Sequence, residues 1–135
     1  MSMEWSKDYE VGVLLIDRQH QSLFAQINEL NAAITAKRSQ DALEPLLEFL
    51  GDYVVMHFST ERELMIRHKY PASMEHYAEH EAFVKGFLEM KQRFHDEGST
   101  LGLATMVNGF VCSWLLKHVL GTDRKLGYFL AQSKR

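Results

Sequence analysis

The sequence predicts an all-α domain, an up-down-up-down antiparallel four-helix bundle preceded by an extended N-terminal arm. Three observations carry this. Apolar residues recur at steps of three and four in four separate segments, no stretch alternates as a strand would, and only two prolines interrupt 135 residues. Helical segments of ~20 residues joined by short links favour antiparallel neighbours. The chain reads as a single domain over 1–135, with the arm at 1–16, the bundle at 17–121 and a C-terminal segment at 122–135.

The first helix is expected from about Asp17 to Lys37, where Leu23, Ile27, Leu30 and Ile34 share one face and Asp17 stands at the N-cap position. The second should open near Asp41, which has capping-box spacing to Glu44, with Pro45 in the first turn. Its apolar face runs through Leu46, Leu47, Leu50, Val54, Phe58, Leu64 and Met65, and it ends before Lys69-Tyr70-Pro71. Ser73 is placed to cap a third helix carrying Phe83, Phe87, Met90 and Phe94, which stops at Asp96-Glu97-Gly98. Ser99 or Thr100 starts a fourth, with Leu103, Val107, Phe110, Val111, Trp114 and Leu115, closing near Gly121.

Bulk properties narrow the function. A hydrophobic content of 46% against 24% charged describes a compact domain large enough to bury a core. A net charge of −3 without a Lys/Arg block argues against a nucleic-acid surface. The lone Cys112 rules out an internal disulfide framework and fits a reducing compartment. No apolar run is expected to reach the ~18 residues of a membrane span, and MSMEWSKDYEVG lacks the layout of a secretion signal. The expectation is a cytoplasmic monomer.

The histidines carry the chemistry. In EHYAEHE, His76 and His80 are four residues apart, which on a helix places them within ~40° of one face and ~6 Å apart along the axis. HFSTE sets Glu61 four residues after His57 in the same way, whereas Glu63 points elsewhere. His20 lies on the first helix and His118 on the fourth. A lone histidine facing a core is usually a satisfied structural residue. Five from four helices, with a carboxylate in register, are costly to bury unless they bind metal. Their heights agree as well, since early positions on the first and third helices meet late positions on the second and fourth. His68 and His95 fail that test and read as solvated surface residues.

These residues resemble the hemerythrin family in its single-domain bacterial form. The resemblance covers nearly the whole chain: Trp5, VGVLLIDRQH, HFSTE, the YPASMEHYAEH block and WLLKHVLGTD. It implies two non-heme iron ions with ligands His20, His57, Glu61, His76, His80, His118 and Asp123. His76, His80 and His118 would belong to one iron, and His20 and His57 to the other. Glu61, Asp123 and an oxo or hydroxo group would bridge them, leaving the second iron one open position. Asp123 rests on the resemblance alone. Five residues from His118 is ~140° around a regular helix, so Gly121 is expected to end the helix and let Asp123 fold back. Asp17, three residues before His20, is expected to be a cap.

The implied function is reversible dioxygen binding for storage, delivery or sensing, with an oxygen-consuming enzyme or a signalling protein as partner. The alternative is a di-iron enzyme acting on peroxide or nitric oxide. Oxygen-activating di-iron bundles are rich in carboxylates, whereas five neutral imidazoles favour the ferrous state and binding over oxidation. No general acid or base is evident among the flanking apolar residues. Trp114, Leu115, Phe58 and Phe24 are expected to wall the oxygen pocket, Trp114 and Leu115 by the family resemblance and the two phenylalanines by their spacing from ligands.

Overall fold

The computed structural model describes residues 4–133, so the outermost residues of the expected arm and C-terminal segment lie outside the described residues. The chain is helical, with α1 Leu14–Thr35, α2 Ser39–Arg67, α3 Ser73–Glu97, α4 Leu101–Trp114, a π-helical segment Leu115–Asp123 and α5 Arg124–Ser133. Among the described residues there is no strand. Contacting pairs run in opposite numerical order along neighbouring helices: Phe83 meets Phe110, His80 meets Trp114 and His76 meets His118.

Helix ends follow local chemistry, with several departures from expectation. α1 starts three residues early, because Leu14, Leu15 and Ile16 join the helix and only Ile16 of them is buried. Asp17 is therefore no N-cap. Its carboxylate turns back to accept from the backbone N–H groups of Val11, at 2.7 Å, and Gly12, at 3.3 Å. That ties the arm to the helix. α2 opens at Ser39 rather than Asp41, so Pro45 lies inside the helix past its first turn, where its ring removes one backbone donor. Ser73 is the first residue of α3 rather than its cap, and its hydroxyl donates to the Tyr70 carbonyl at 2.6 Å. Thr100 does cap α4, accepting from Leu103 N–H at 3.0 Å. Two ends use left-handed lysines where glycine is usual: Lys37 (φ 60°) and Lys69 (φ 52°). The following residues, Arg38 and Tyr70, donate back to the carbonyls of Ala33 and Met65, closing each terminus.

The largest departure is at the fourth helix. It does not stop at Gly121 but passes without a break from α4 through the π segment into α5. This run, Leu101–Gln132, is long and apolar enough to cross a membrane by length and composition, since no charged residue occurs before Lys117. Its apolar face is instead the middle of the bundle: Leu103, Ala104, Val107, Val111, Leu115 and Val119 are all buried.

The main core gathers Leu23, Phe24, Ile27, Leu30, Leu43, Leu46, Leu50, Phe83 and Phe87 around that helix. A smaller cluster of Met65, Tyr70, Leu126 and Leu130 seats α5. The arm is not fully extended, since Lys7–Tyr9 forms a 3-10 turn whose Asp8 N–H donates to Ser6 Oγ. Trp5 and Tyr9 pack on Phe24, with ring centres 5.3 and 5.2 Å away. The arm then crosses α5 at Gly127, where any side-chain carbon would collide with the carbonyl of Val11.

Candidate metal centre

Buried imidazoles and carboxylates from every long helix converge at one end of the bundle. His20, His57, Glu61 and His118 have no exposed surface, Asp123 and His76 have 1%, and His80 has 7%. Two separations of four set the geometry: His57 with Glu61 on α2, and His76 with His80 on α3. Each of the five imidazoles aims Nε2 inward at a carboxylate. Glu61 Oε1 lies 3.1 Å from His57, 3.1 Å from His76 and 3.0 Å from His80. Asp123 divides its oxygens. Oδ2 faces His20 at 2.8 Å and His57 at 3.3 Å, while Oδ1 faces His118 at 2.9 Å and His76 at 3.2 Å.

The outward nitrogens of two of these rings are held in turn, whereas His20 Nδ1 and His76 Nδ1 are buried without a hydrogen-bond partner. His57 Nδ1–H donates to Gln19 Oε1 at 2.7 Å, and Gln19 Nε2 donates to Thr60 Oγ1 at 3.2 Å. His118 Nδ1–H donates to Glu79 Oε1 at 2.8 Å, and Thr122 Oγ1 donates to the same carboxylate at 2.8 and 2.9 Å. These bonds fix the tautomer, leaving the Nε2 lone pairs of His57 and His118 pointing at carboxylate lone pairs.

That arrangement is unstable without positive charge at its centre. His118 Nε2, Asp123 Oδ1 and Glu61 Oε2 are buried with no hydrogen-bond partner, although His118 Nε2 and Asp123 Oδ1 are 2.9 Å apart. Protons can supply the charge. Burial pulls the His57 and His118 pKa values down, but Glu61 and Asp123 outweigh it and raise them to about 9 and about 10. His57 and the hydrogen bonds around it hold Glu61 well below the usual carboxylate range despite its burial. Metal ions supply the charge better, because they satisfy the orphaned lone pairs directly. The donor atoms form two overlapping sets, Glu61-His76-His80-His118 and His57-Glu61-His118-Asp123, each within 4.8 Å. The residues therefore fit bound metal. His20 meets the second set through Asp123 Oδ2.

The other expected residues divide. Phe58 stacks on His80 and Trp114 on His118, each with ring centres 3.8 Å apart, and Leu115 is fully buried beside them in the core. Phe24 packs with Trp5 and Tyr9 of the arm. His95 is exposed beside Asp96, and Glu63 is exposed and pairs with Arg67. His68 is half-buried at the end of α2.

Sequence reasoning missed Gln19, Glu79 and Tyr53. Tyr53 precedes His57 by four residues, stacks on its ring at 4.8 Å and receives the Trp114 indole N–H at 3.4 Å. Burial raises the Tyr53 pKa well above its ordinary value, and Asp123 and Glu61 add to the rise. Tyr53 is a protonated polar group close to the ligands, but a phenol held so far above neutral pH is a weak acid. The available signal was spacing, since residues 53, 57 and 61 share one helical face.

Fold and site together define a helical-bundle metal-binding protein with a buried, imidazole-rich, carboxylate-linked centre. Its sequence matches the Hemerythrin HHE cation binding domain over residues 11–130, and the chain belongs to the hemerythrin family. It is 32% identical to the bacteriohemerythrin of Stenotrophomonas maltophilia (strain R551-3), covering 89% of this chain and 76% of that protein. It is 35% identical to a hemerythrin-like protein of Naegleria gruberi, covering 90% and 87%. A bacteriohemerythrin of Methylococcus capsulatus is 32% identical across 93% of this chain and 94% of its own length.

Proposed function

We propose that this protein binds dioxygen reversibly at a pair of non-heme iron ions, for storage, delivery or sensing. The observation that carries the reading is the Asp123 carboxylate, which turns one oxygen to His20 and His57 and the other to His76 and His118. In this reading His76, His80 and His118 hold one ion and His20 and His57 the other. Glu61 and Asp123, with an oxo or hydroxo group, would be shared between them. Iron so held would supply redox chemistry, with the His20/His57 ion, which has fewer protein donors, the one to take up dioxygen.

The chain's own residues provide the rest. Neutral imidazoles outnumber carboxylates five to two, which favours the ferrous state. Gln19 and Glu79 fix the orientation of His57 and His118. Phe58 and Trp114 stack on His80 and His118, and with Leu115, buried in the same core cluster, they form an apolar wall that would keep water and anions from the centre. A cytoplasmic monomer, serving an oxygen-consuming enzyme or a signalling protein, completes the proposal.

A second reading, a di-iron enzyme acting on peroxide or nitric oxide, draws on Tyr53. Its buried phenol keeps its proton beside His57, so in that reading it would serve a bound substrate as a hydrogen-bond donor rather than as a proton source. One experiment separates the two. Anaerobic ferrous protein is exposed to air and then to argon while its visible spectrum is recorded. Reversible binding gives a band that appears in air and fades under argon over repeated cycles. A band that never fades, together with catalytic consumption of peroxide or nitric oxide, overturns the first reading in favour of the second.

A further inference from the structure

We propose that Glu79 is a positioning residue that sets the reduction potential of the metal centre through His118. This rests on the two-iron reading above. Glu79 sits on α3 between His76 and His80, yet it reaches across to the π segment rather than into the centre. It accepts from His118 Nδ1 at 2.8 Å and from Thr122 Oγ1 at 2.8 and 2.9 Å. Its side chain is 39% exposed while that of His118 is 1% exposed, so it joins solvent to a buried ligand.

The two ends of the centre are treated unequally. His57 donates to Gln19, a neutral amide, whereas His118 donates to an anion. A carboxylate draws the Nδ1 proton more strongly than an amide oxygen does and pushes electron density onto Nε2. A richer Nε2 favours the more highly charged metal state. The iron held by His118 is therefore the easier of the two to oxidise, and the iron held by His57 is kept more ferrous. Thr122 moderates the effect, because its hydroxyl withdraws density from the carboxylate. Since Thr122 adjoins Asp123, the same bonds also brace the segment that brings Asp123 into place.

The test uses full-length Glu79→Gln, Glu79→Ala and Thr122→Val proteins loaded with ferrous iron. Readouts are iron content, midpoint potential from a spectroscopic redox titration, and thermal unfolding of the metal-free protein. Glu79→Gln retains an acceptor for His118, so both irons stay while the midpoint rises and air oxidation slows. Glu79→Ala also loses orientation, and metal affinity falls by roughly 10- to 100-fold. Thr122→Val strips a donor from the carboxylate, so the midpoint falls. The opposite signs of Glu79→Gln and Thr122→Val are the diagnostic, since a merely structural role moves both the same way or moves neither. Unchanged potential in Glu79→Gln at full iron content overturns the inference. If Glu79→Gln fails to fold, a Thr122→Val midpoint at or above wild type does the same. Failure of the wild type to take up two irons overturns the underlying reading instead.

Discussion

Asp123 follows His118 by five residues, yet its Oδ1 lies 2.9 Å from His118 Nε2. On an α-helix this spacing turns the two side chains ~140° apart. The π segment Leu115–Asp123 removes the conflict, because its i→i+5 bonding brings residues five apart back to one face. A local change of helical pitch, rather than a chain break, delivers the last carboxylate.

The register can be tested by exchange. In an α-helix, position 122 rather than 123 would share the face of His118. Thr122→Asp combined with Asp123→Thr should therefore lose bound metal while helicity by circular dichroism is retained. Full metal content in the exchanged protein would show that the π geometry is not what places Asp123.

Stoichiometry follows from the divided carboxylate. Protein reconstituted with excess ferrous iron should hold two irons per chain by metal analysis. Glu61→Ala and Asp123→Ala should each impair both. His68→Ala and His95→Ala should change nothing, since neither side chain reaches the buried donor sets. Saturation of the wild type at one iron contradicts the paired centre.

Leu115 is fully buried beside Trp114, whose ring covers His118. Leu115→Ala should open a cavity at that wall at a cost of ~2–5 kcal/mol and admit water. Faster oxidation to the ferric, oxygen-inactive state is expected, with iron content largely kept. Leu103→Ala is the control, an equally buried truncation on the same continuous helix, roughly three turns away. Equal rates in the two variants would remove Leu115 from the pocket.

Without metal, the centre should make stability depend on pH. The His57 and His118 pKa values rise on folding to about 9 and about 10, above an ordinary value of 6.5. Their stabilisation is fully present below pH ~6.5 and is lost as pH rises through the folded values. The melting temperature of chelator-treated protein should fall between pH 7 and 10. Metal competes with these protons, so uptake near neutral pH should release them, measurable by calorimetry in buffers of different ionisation enthalpy. A flat melting profile for the metal-free protein would contradict the assignment.

The helices and most of the donors were legible because both rest on one periodicity. Spacings of four on α2 and α3 announced His57 with Glu61 and His76 with His80, and matching heights on the helices added His20 and His118. Asp123 was not legible from spacing, because residue types do not announce a change from α to π pitch. Asp17 misled because Leu14 and Leu15, largely exposed, look like arm residues although they are helical. Gln19 and Glu79 were hidden for a related reason: a polar residue beside a histidine on a helix reads as solvent-facing until a neighbouring helix is placed against it. Tyr53 blended into the apolar face it shares with Leu46 and Leu50.

Every imidazole in the centre presents Nε2, the ring nitrogen farther from the main chain, and keeps Nδ1 for the scaffold or for the space behind it. The separation between the helices is therefore gauged by the full length of a histidine side chain. A shorter donor such as aspartate at position 57, 76 or 118 would stop short of the middle, however well its charge suited iron. At those three positions reach limits which donor can serve, before the chemistry of the donor is consulted.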